Sequence, residues 1–441
     1  MSSLRRKNLV KYVVPSILSN ACIFLFTIVD GVFVGQGIGS DALGAVNIAM
    51  PMVMIATAVN MLTSIGGCAI AAIRLGQNDK EGANQAFLHS LTANVALAAI
   101  MTLVCTLLTE PLSAFLGADA FYLPMVKEYV FWWGLFAIPS ALSVNFQFFC
   151  RNDGSPMLVM VATIASTVLN IFLDWLFVFP MQMGIMGAAV ATGISQTASW
   201  LIVAMHFILR KGDLRIRPYK PQPQMFVQVI FFGLPEMIAQ FATPVTTICL
   251  NTVIVANLGE KGVNAFAVIS YVASLAISVF AGAAEGLQPL FGQTYGAKEE
   301  TDMKWYFRSG MLISFVGSVV IVGLCILFGR PICALFGADA ETLEYTLQYL
   351  PQYAWAFIVV GLNTMISAYL YSTERSAYAI PLNICRAFVF DTLIIRGLPV
   401  LLGDGIIWYT YGISECAVLV LAVILLKFSE RNGIVFKEPQ Y

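Results

Sequence analysis

The chain has 441 residues, of which 59% are apolar and only 11% charged, with 24 Lys and Arg against 25 Asp and Glu. Soluble proteins carry about 25% charged residues, so this composition, with a mean hydropathy of +0.81, excludes a water-soluble protein. A net charge of −1 gives no electrostatic ground for a nucleic-acid partner, which leaves an integral membrane protein.

A membrane-spanning helix needs about 20 mostly apolar residues. Runs of that kind predict twelve spans, at 12–35, 43–73, 86–109, 127–149, 157–180, 184–209, 226–257, 263–293, 305–329, 346–372, 377–402 and 406–428. The basic segment Met1 to Lys11 leads into a first span far longer than a signal-peptide core, so that span is expected to be retained. With the N-terminus placed in the cytoplasm, nineteen Lys and Arg fall in inside segments and three outside, Lys127, Lys261 and Arg330. Only Arg386 and Arg396 lie within a span, the eleventh. That asymmetry follows the positive-inside tendency and predicts a multi-pass protein of the plasma (inner) membrane with both termini cytoplasmic. The nine cysteines sit in or beside apolar runs without a CxxC pair, and are read as small packing residues.

Sliding the chain on itself by 220 residues aligns its two halves. Ala114-Phe115-Leu116-Gly117-Ala118-Asp119-Ala120 falls on Ala334-Leu335-Phe336-Gly337-Ala338-Asp339-Ala340, Pro15 on Pro235, Gly39 on Gly259 and Gly76 on Gly296. Each half holds six spans, so both enter the membrane in the same orientation, as in transporters built from parallel repeats. The fold class expected is all-α integral membrane, with two pseudo-symmetric six-helix bundles. An N-terminal bundle, 1–209, is joined by a charged, proline-rich cytoplasmic linker, 210–225, to a C-terminal bundle, 226–441.

Ionisable groups inside spans are expensive and are functional candidates. Here they are Asp30, Asp174, Glu236, Glu285, Arg386, Asp391, Arg396 and Glu415. At 1.5 Å of rise per residue, Asp30, Asp174 and Thr192 reach similar height in the outer half of the N-terminal bundle. Asn170 precedes Asp174 by four residues and shares its helix face. Two carboxylates, an amide and a hydroxyl form a hard-oxygen site for a proton or a small cation such as Na+. In the C-terminal half, Glu415 is expected to pair with Arg396, and Glu285 with Arg386, in contacts that lock or gate the bundle. Glu236, Glu285, Asp391 and Glu415 stand as secondary candidates for coupling or drug contact, and Pro15 as a helix-bending residue.

Gly35-Gln36-Gly37-Ile38-Gly39 lacks the βαβ setting of a nucleotide loop. With no GxxxxGK[ST], HExxH or GxSxG in the chain, neither an ATP engine nor an enzyme is expected, and no cofactor beyond the coupling ion. His89 and His206 are isolated in sequence and read as packing or interfacial residues.

The chain resembles the multidrug and toxic compound extrusion (MATE) family along essentially its whole length. The residues that carry this are Val29-Asp30-Gly31-Val32-Phe33-Val34-Gly35, Arg151-Asn152-Asp153-Gly154, Leu169-Asn170-Ile171-Phe172-Leu173-Asp174, Gly187-Ala188-Ala189-Val190-Ala191-Thr192, Gln288-Pro289-Leu290 and Tyr295-Gly296-Ala297. The pattern is similar to the bacterial branch with its cation site in the N-terminal lobe. The resemblance implies a V-shaped twelve-helix antiporter that exports cationic lipophilic drugs, or an endogenous metabolite, in exchange for protons or sodium. It also implies a cation site at Asp30, Asn170, Asp174 and Thr192, and a bend of the first helix at Pro15. Partners would be the small-molecule cargo and the lipid bilayer, and the protein is expected to be a monomer. The rival readings are a lipid-linked saccharide flippase, whose cavity would need many Arg and Lys, and an intramembrane enzyme.

Overall fold

The computed structural model describes residues 2–331 and 340–431, so positions 334–339 of the second heptapeptide, Cys333 and Lys437 lie outside the described residues. Among the described residues the regular secondary structure is all helical, and the linker from 211 to 222 is non-helical. Ten helices are long and apolar enough to cross a bilayer. Span four is a bent pair, Leu123–Leu135 and Ala137–Asn152, meeting at 49°. Span eleven is split into Ser376–Ile384, a π-helical stretch Cys385–Phe390, and Asp391–Leu402. The twelve expected spans are thereby accounted for. Large apolar side chains such as Leu107 (74% exposed) and Val400 (85% exposed) cover the outside, as lipid-facing helices require.

Local chemistry sets the helix ends. The first helix, Ser2–Gly37, runs through Pro15, which withholds the N–H that would satisfy the Lys11 carbonyl. The Ser16 and Ser19 hydroxyls each donate at 2.8 Å to the carbonyl four residues back, Tyr12 and Pro15, a contact that favours curvature. Span three, Lys80–Leu107, is capped by Asp79, whose Oδ1 accepts from the Gly82 N–H at 2.8 Å. That bond satisfies one of the amides a helix start leaves unpaired.

The 220-residue repeat persists in backbone conformation. Gly39 and Gly259, which close the turns after spans one and seven, both have positive φ, 127° and 62°. Asn78 and Lys298, at 61° and 59°, and Gly154 and Glu374, at 90° and 57°, repeat the correspondence. Close helix approaches recur in the same register. A Cβ on Gly66 would fall 1.9 Å from the Val229 carbonyl oxygen, while one on Gly286 would fall 2.8 Å from that of Tyr12. A Cβ on Gly76 or on Gly296, themselves one repeat apart, would fall 2.0 Å from the carbonyl oxygen of Gln293 or of Ile73 respectively. Small residues allow backbones this near without an overlapping side chain.

By packing, the chain forms two compact units, Met1–Met237 with Glu285–Glu300, and Ile238–Ala284 with Thr301–Tyr441. The start of span seven and the end of span eight therefore pack with the first six spans, through the glycine contacts just described. The linker belongs to this first unit and is fastened to it. The carboxylate of Asp153 accepts from His206 Nε2 at 2.8 Å, from the Asp213 N–H at 2.8 Å and from the Leu214 N–H at 3.3 Å. Further along, the Arg215 N–H donates to Asn84 Oδ1 at 2.6 Å, and the Gln222 N–H to His89 Nε2 at 2.8 Å. Both histidines of the chain, isolated in sequence, are thus used where the linker meets the bundle.

The eight described cysteines are free thiols. The second unit has its own core, built on Leu250, Ile254, Phe280, Phe357 and Trp408.

Candidate functional site

Span five packs along spans one and six in the first unit, which gathers the polar residues of those helices. Asn170 and Asp174 are buried, at 1% and 0% exposure, whereas Thr192 and Asp30 are half-buried. The Asn170 amide points at the Thr192 hydroxyl at 3.5 Å, a long contact at the edge of hydrogen bonding. Asp30 lies within electrostatic reach of Asp174, and the Tyr129 phenol within reach of both. Four oxygens here are buried without a hydrogen-bond donor, Asp30 Oδ1, Asn170 Oδ1 and both Asp174 carboxylate oxygens. Buried acceptors are normally paired, because an unmade bond costs about 1–3 kcal/mol. A set of hard oxygens lacking donors fits a proton or an alkali cation.

A cavity of about 300 Å³ opens beside this cluster, within the same unit. Asn170 and Thr192 form part of its wall, with Phe26, Met61 and Phe148 supplying apolar surface and Glu285 a carboxylate. Such a volume lies at the lower end of small-molecule sites, about 300–1,000 Å³.

Glu285 is held by groups that the sequence did not nominate. Its Oε2 accepts from Asn20 Nδ2 at 3.0 Å and forms an ion pair with Arg151 Nη1 at 3.1 Å. The Arg151 side chain is 4% exposed and lies over the Phe148 ring, 5.3 Å from its centroid. Arg151 had been counted among the cytoplasmic cations because it sits at a predicted loop edge; its helix continues to Asn152 and carries it inside the protein. The expected partner of Glu285 was Arg386, and the pairing with Arg151 corrects that expectation. Arg386 Nε instead donates to Glu415 Oε1 at 2.9 Å, which also corrects the expected Glu415–Arg396 pair. Depth estimates assumed a regular α-helix through span eleven. The π-helical stretch changes the angular register by a residue, and leaves Arg396 on an exposed face.

The remaining candidates stand elsewhere. Glu236 is half-buried in span seven, one residue after the buried Pro235. Pro15 is buried inside the first helix. Asp391 and Glu415, at 0% and 1% exposure, belong to the second unit. Tyr129, Arg151 and Asn20 were missed by sequence reading. For Arg151 the available signal was its place in the segment Arg151-Asn152-Asp153-Gly154, one of those that carry the family resemblance.

Comparisons with known proteins agree with this architecture. The MatE family model matches residues 15–176 and 225–394, once in each half. The multidrug export protein MepA of Staphylococcus aureus (strain MSSA476) is 23% identical over 427 residues, covering 95% of this chain and 93% of that protein. MepA of Staphylococcus saprophyticus is 24% identical over 436 residues, with the same coverage. Among solved structures, an outward-facing multidrug resistance MATE family transporter of the MOP superfamily superposes with a TM-score of 0.90 at 23% identity, over 97% of this chain and 96% of that one. A MOP superfamily transporter from Pyrococcus furiosus, noted for reversed polarity of its binding pocket, gives 0.88 at 22% identity over the same shares. With the family model matched in both halves and the twelve-span fold shared, the chain belongs to the MatE family of multidrug efflux transporters.

Proposed function

We propose that this protein is a secondary antiporter that exports cationic lipophilic compounds by alternating access, with coupling at Asp30, Asn170, Asp174 and Thr192. The observation that carries the reading is the group of four donor-less buried oxygens at those residues, next to a cavity whose wall includes Asn170 and Thr192. A proton on Asp174, or Na+ held by the carboxylate, amide and hydroxyl oxygens, would relieve the unpaired acceptors. Ion entry from outside changes the packing of span one on span five, and cargo leaves outward. Return of the ion to the cytoplasm resets the carrier. Phe26, Met61 and Phe148 offer the cargo an apolar and polarisable surface. The Lys and Arg distribution supports a cytoplasmic position for both termini, and the coupling ion is the sole cofactor in this reading.

The flippase reading requires an excess of cations in the cavity. Among the described residues, the cation in its wall, Arg151, is ion-paired with Glu285, so the cavity lacks the excess of cations that a flippase would use.

The test is ethidium export from proteoliposomes under separately imposed proton and sodium gradients, comparing wild type with Asp30→Asn and Asp174→Asn. Export driven by one gradient, and lowered at least tenfold by each substitution in folded protein, supports the site and names the ion. Unchanged export in both variants would remove the site from the mechanism.

A further inference from the structure

The π-helical stretch of span eleven, Cys385–Phe390, carries Arg386 and ends at Asp391. π-helical turns are rare and concentrate at functional sites. Here one delivers a carboxylate into the interior of the second unit, where Asp391 is 0% exposed. Two hydroxyls meet it: Ser414 Oγ lies 2.6 Å from Asp391 Oδ1, and Thr246 Oγ1 contacts Oδ2. The titratable and charged groups facing Asp391 are Glu415 and Tyr411 from span twelve, Arg386 from the π-helical stretch and Tyr353 from span ten. Span seven contributes the Thr246 hydroxyl and the nearby Cys249 thiol, which contacts Thr392.

Two counts then decide the state of this network. The first is charge. Glu415 takes the guanidinium of Arg386 at 2.9 Å and the Asn363 amide at 2.7 Å, so the one cation of the cluster is committed. Among the described residues no Lys or Arg nitrogen lies within 4 Å of Asp391. A buried carboxylate without a cation is strongly disfavoured and is relieved by a proton.

The second count is of hydrogens. Thr246 Oγ1 sits 2.9 Å from the Ala242 carbonyl as well as against Asp391 Oδ2. A threonine hydroxyl has one hydrogen to donate. If it goes to Ala242, two bare oxygens face each other across the Thr246–Asp391 contact unless Asp391 carries the hydrogen.

We propose that Asp391 is a second proton-binding site, contained in the C-terminal unit, with Thr246 as its positioning residue. In the loaded state Asp391 Oδ2–H donates to Thr246 Oγ1, which donates its own hydrogen to the Ala242 carbonyl. On release, Asp391 gives its proton to water and becomes a carboxylate, and Thr246 turns its hydrogen from Ala242 to Asp391. Ala242 is the first residue of the helix that follows the break in span seven at Gln240–Phe241. The protonation state of Asp391 is therefore transmitted to the start of that helix. This site is independent of the Asp30–Asp174 cluster, and neither needs the other to exist.

The test is pH-difference infrared spectroscopy of the full chain in lipid nanodiscs, in the Asp30→Asn/Asp174→Asn background, which removes both carboxyls of the first unit's cluster. A protonated-carboxyl C=O band that titrates there, disappears in Asp391→Asn and persists in Glu415→Gln is the expected result. Thr246→Val should move the titration midpoint and Thr246→Ser restore it, which gives a readout even if Asp391→Asn does not fold. A band that is absent in the background, that survives Asp391→Asn, or that is lost in Glu415→Gln would overturn the proposal. Loss of the band on adding Na+ at constant pH would also overturn it, in favour of a cation site. An unmoved midpoint in Thr246→Val would remove Thr246 from the device.

Discussion

The linker clamp can be tested by Asp153→Ala. Three donors converge on the Asp153 carboxylate, and their surroundings decide what each loss is worth. His206 is fully buried, and its Nε2 must carry the hydrogen because a carboxylate only accepts. Its bond is charge-assisted and worth about 1.5–3 kcal/mol. The Leu214 N–H is partly buried at a longer 3.3 Å and adds about 0.5–1 kcal/mol. The Asp213 N–H is exposed and finds water, so its loss costs little. Together these give about 2–4 kcal/mol, or roughly a 30- to 1,000-fold rise in the population of undocked linker. Amide hydrogen exchange of residues 213–215 in detergent-solubilised protein reads this directly, with exchange of span five as the internal reference. Protection of the linker unchanged within about threefold, a difference near 0.65 kcal/mol, would refute the reasoning that Asp153 holds it. Gly212→Ala should act in the same direction, because its Cβ would fall 1.7 Å from Asp153 Oδ2.

Two further outcomes follow from other contacts. Gly233→Ala places a Cβ 1.8 Å from the Leu62 carbonyl and should destabilise by about 1–3 kcal/mol or more. Gly317→Ala, with nothing within 4 Å, should be neutral or stabilising by about 0.5–1 kcal/mol; the two variants are compared by thermal unfolding in one detergent. The exposed Glu110–Lys127 pair, 2.6 Å apart, holds the Glu110 carboxyl below its ordinary value, through the hydrogen bond and charge of Lys127. Its small contribution is present at neutral pH and lost as pH falls through that depressed value. Lys127→Ala should leave the unfolding midpoint at neutral pH within experimental error, as exposed ion pairs are worth little.

The spans, the duplication and the gathering of Asn170, Asp174 and Thr192 were legible in the sequence because each rests on a one-dimensional signal. Apolar run length marks a span, since a bilayer core has a fixed thickness. The offset of 220 that aligned Gly39 with Gly259 reappeared as paired positive-φ turns. Asn170 and Asp174 share a face by spacing alone, and depth set Thr192 beside them.

Partner identity was not legible in the same way. Depth fixes height along the membrane normal but not the direction in which a side chain leaves its helix. Glu415 was therefore assigned to Arg396, whereas the π-helical stretch turns Arg386 toward it. The predicted spans leave Arg151 in a loop, and only the continuation of its helix to Asn152, with the end of span eight packed in the same unit, brings it to Glu285. Nor does the sequence tell that two isolated histidines fasten the linker, or that one threonine hydrogen faces two acceptors. Composition and periodicity determined which segments enter the lipid and in what repeat. The tertiary structure alone decided which polar groups neutralise one another, because a charge in low dielectric is settled by the few ångströms around it.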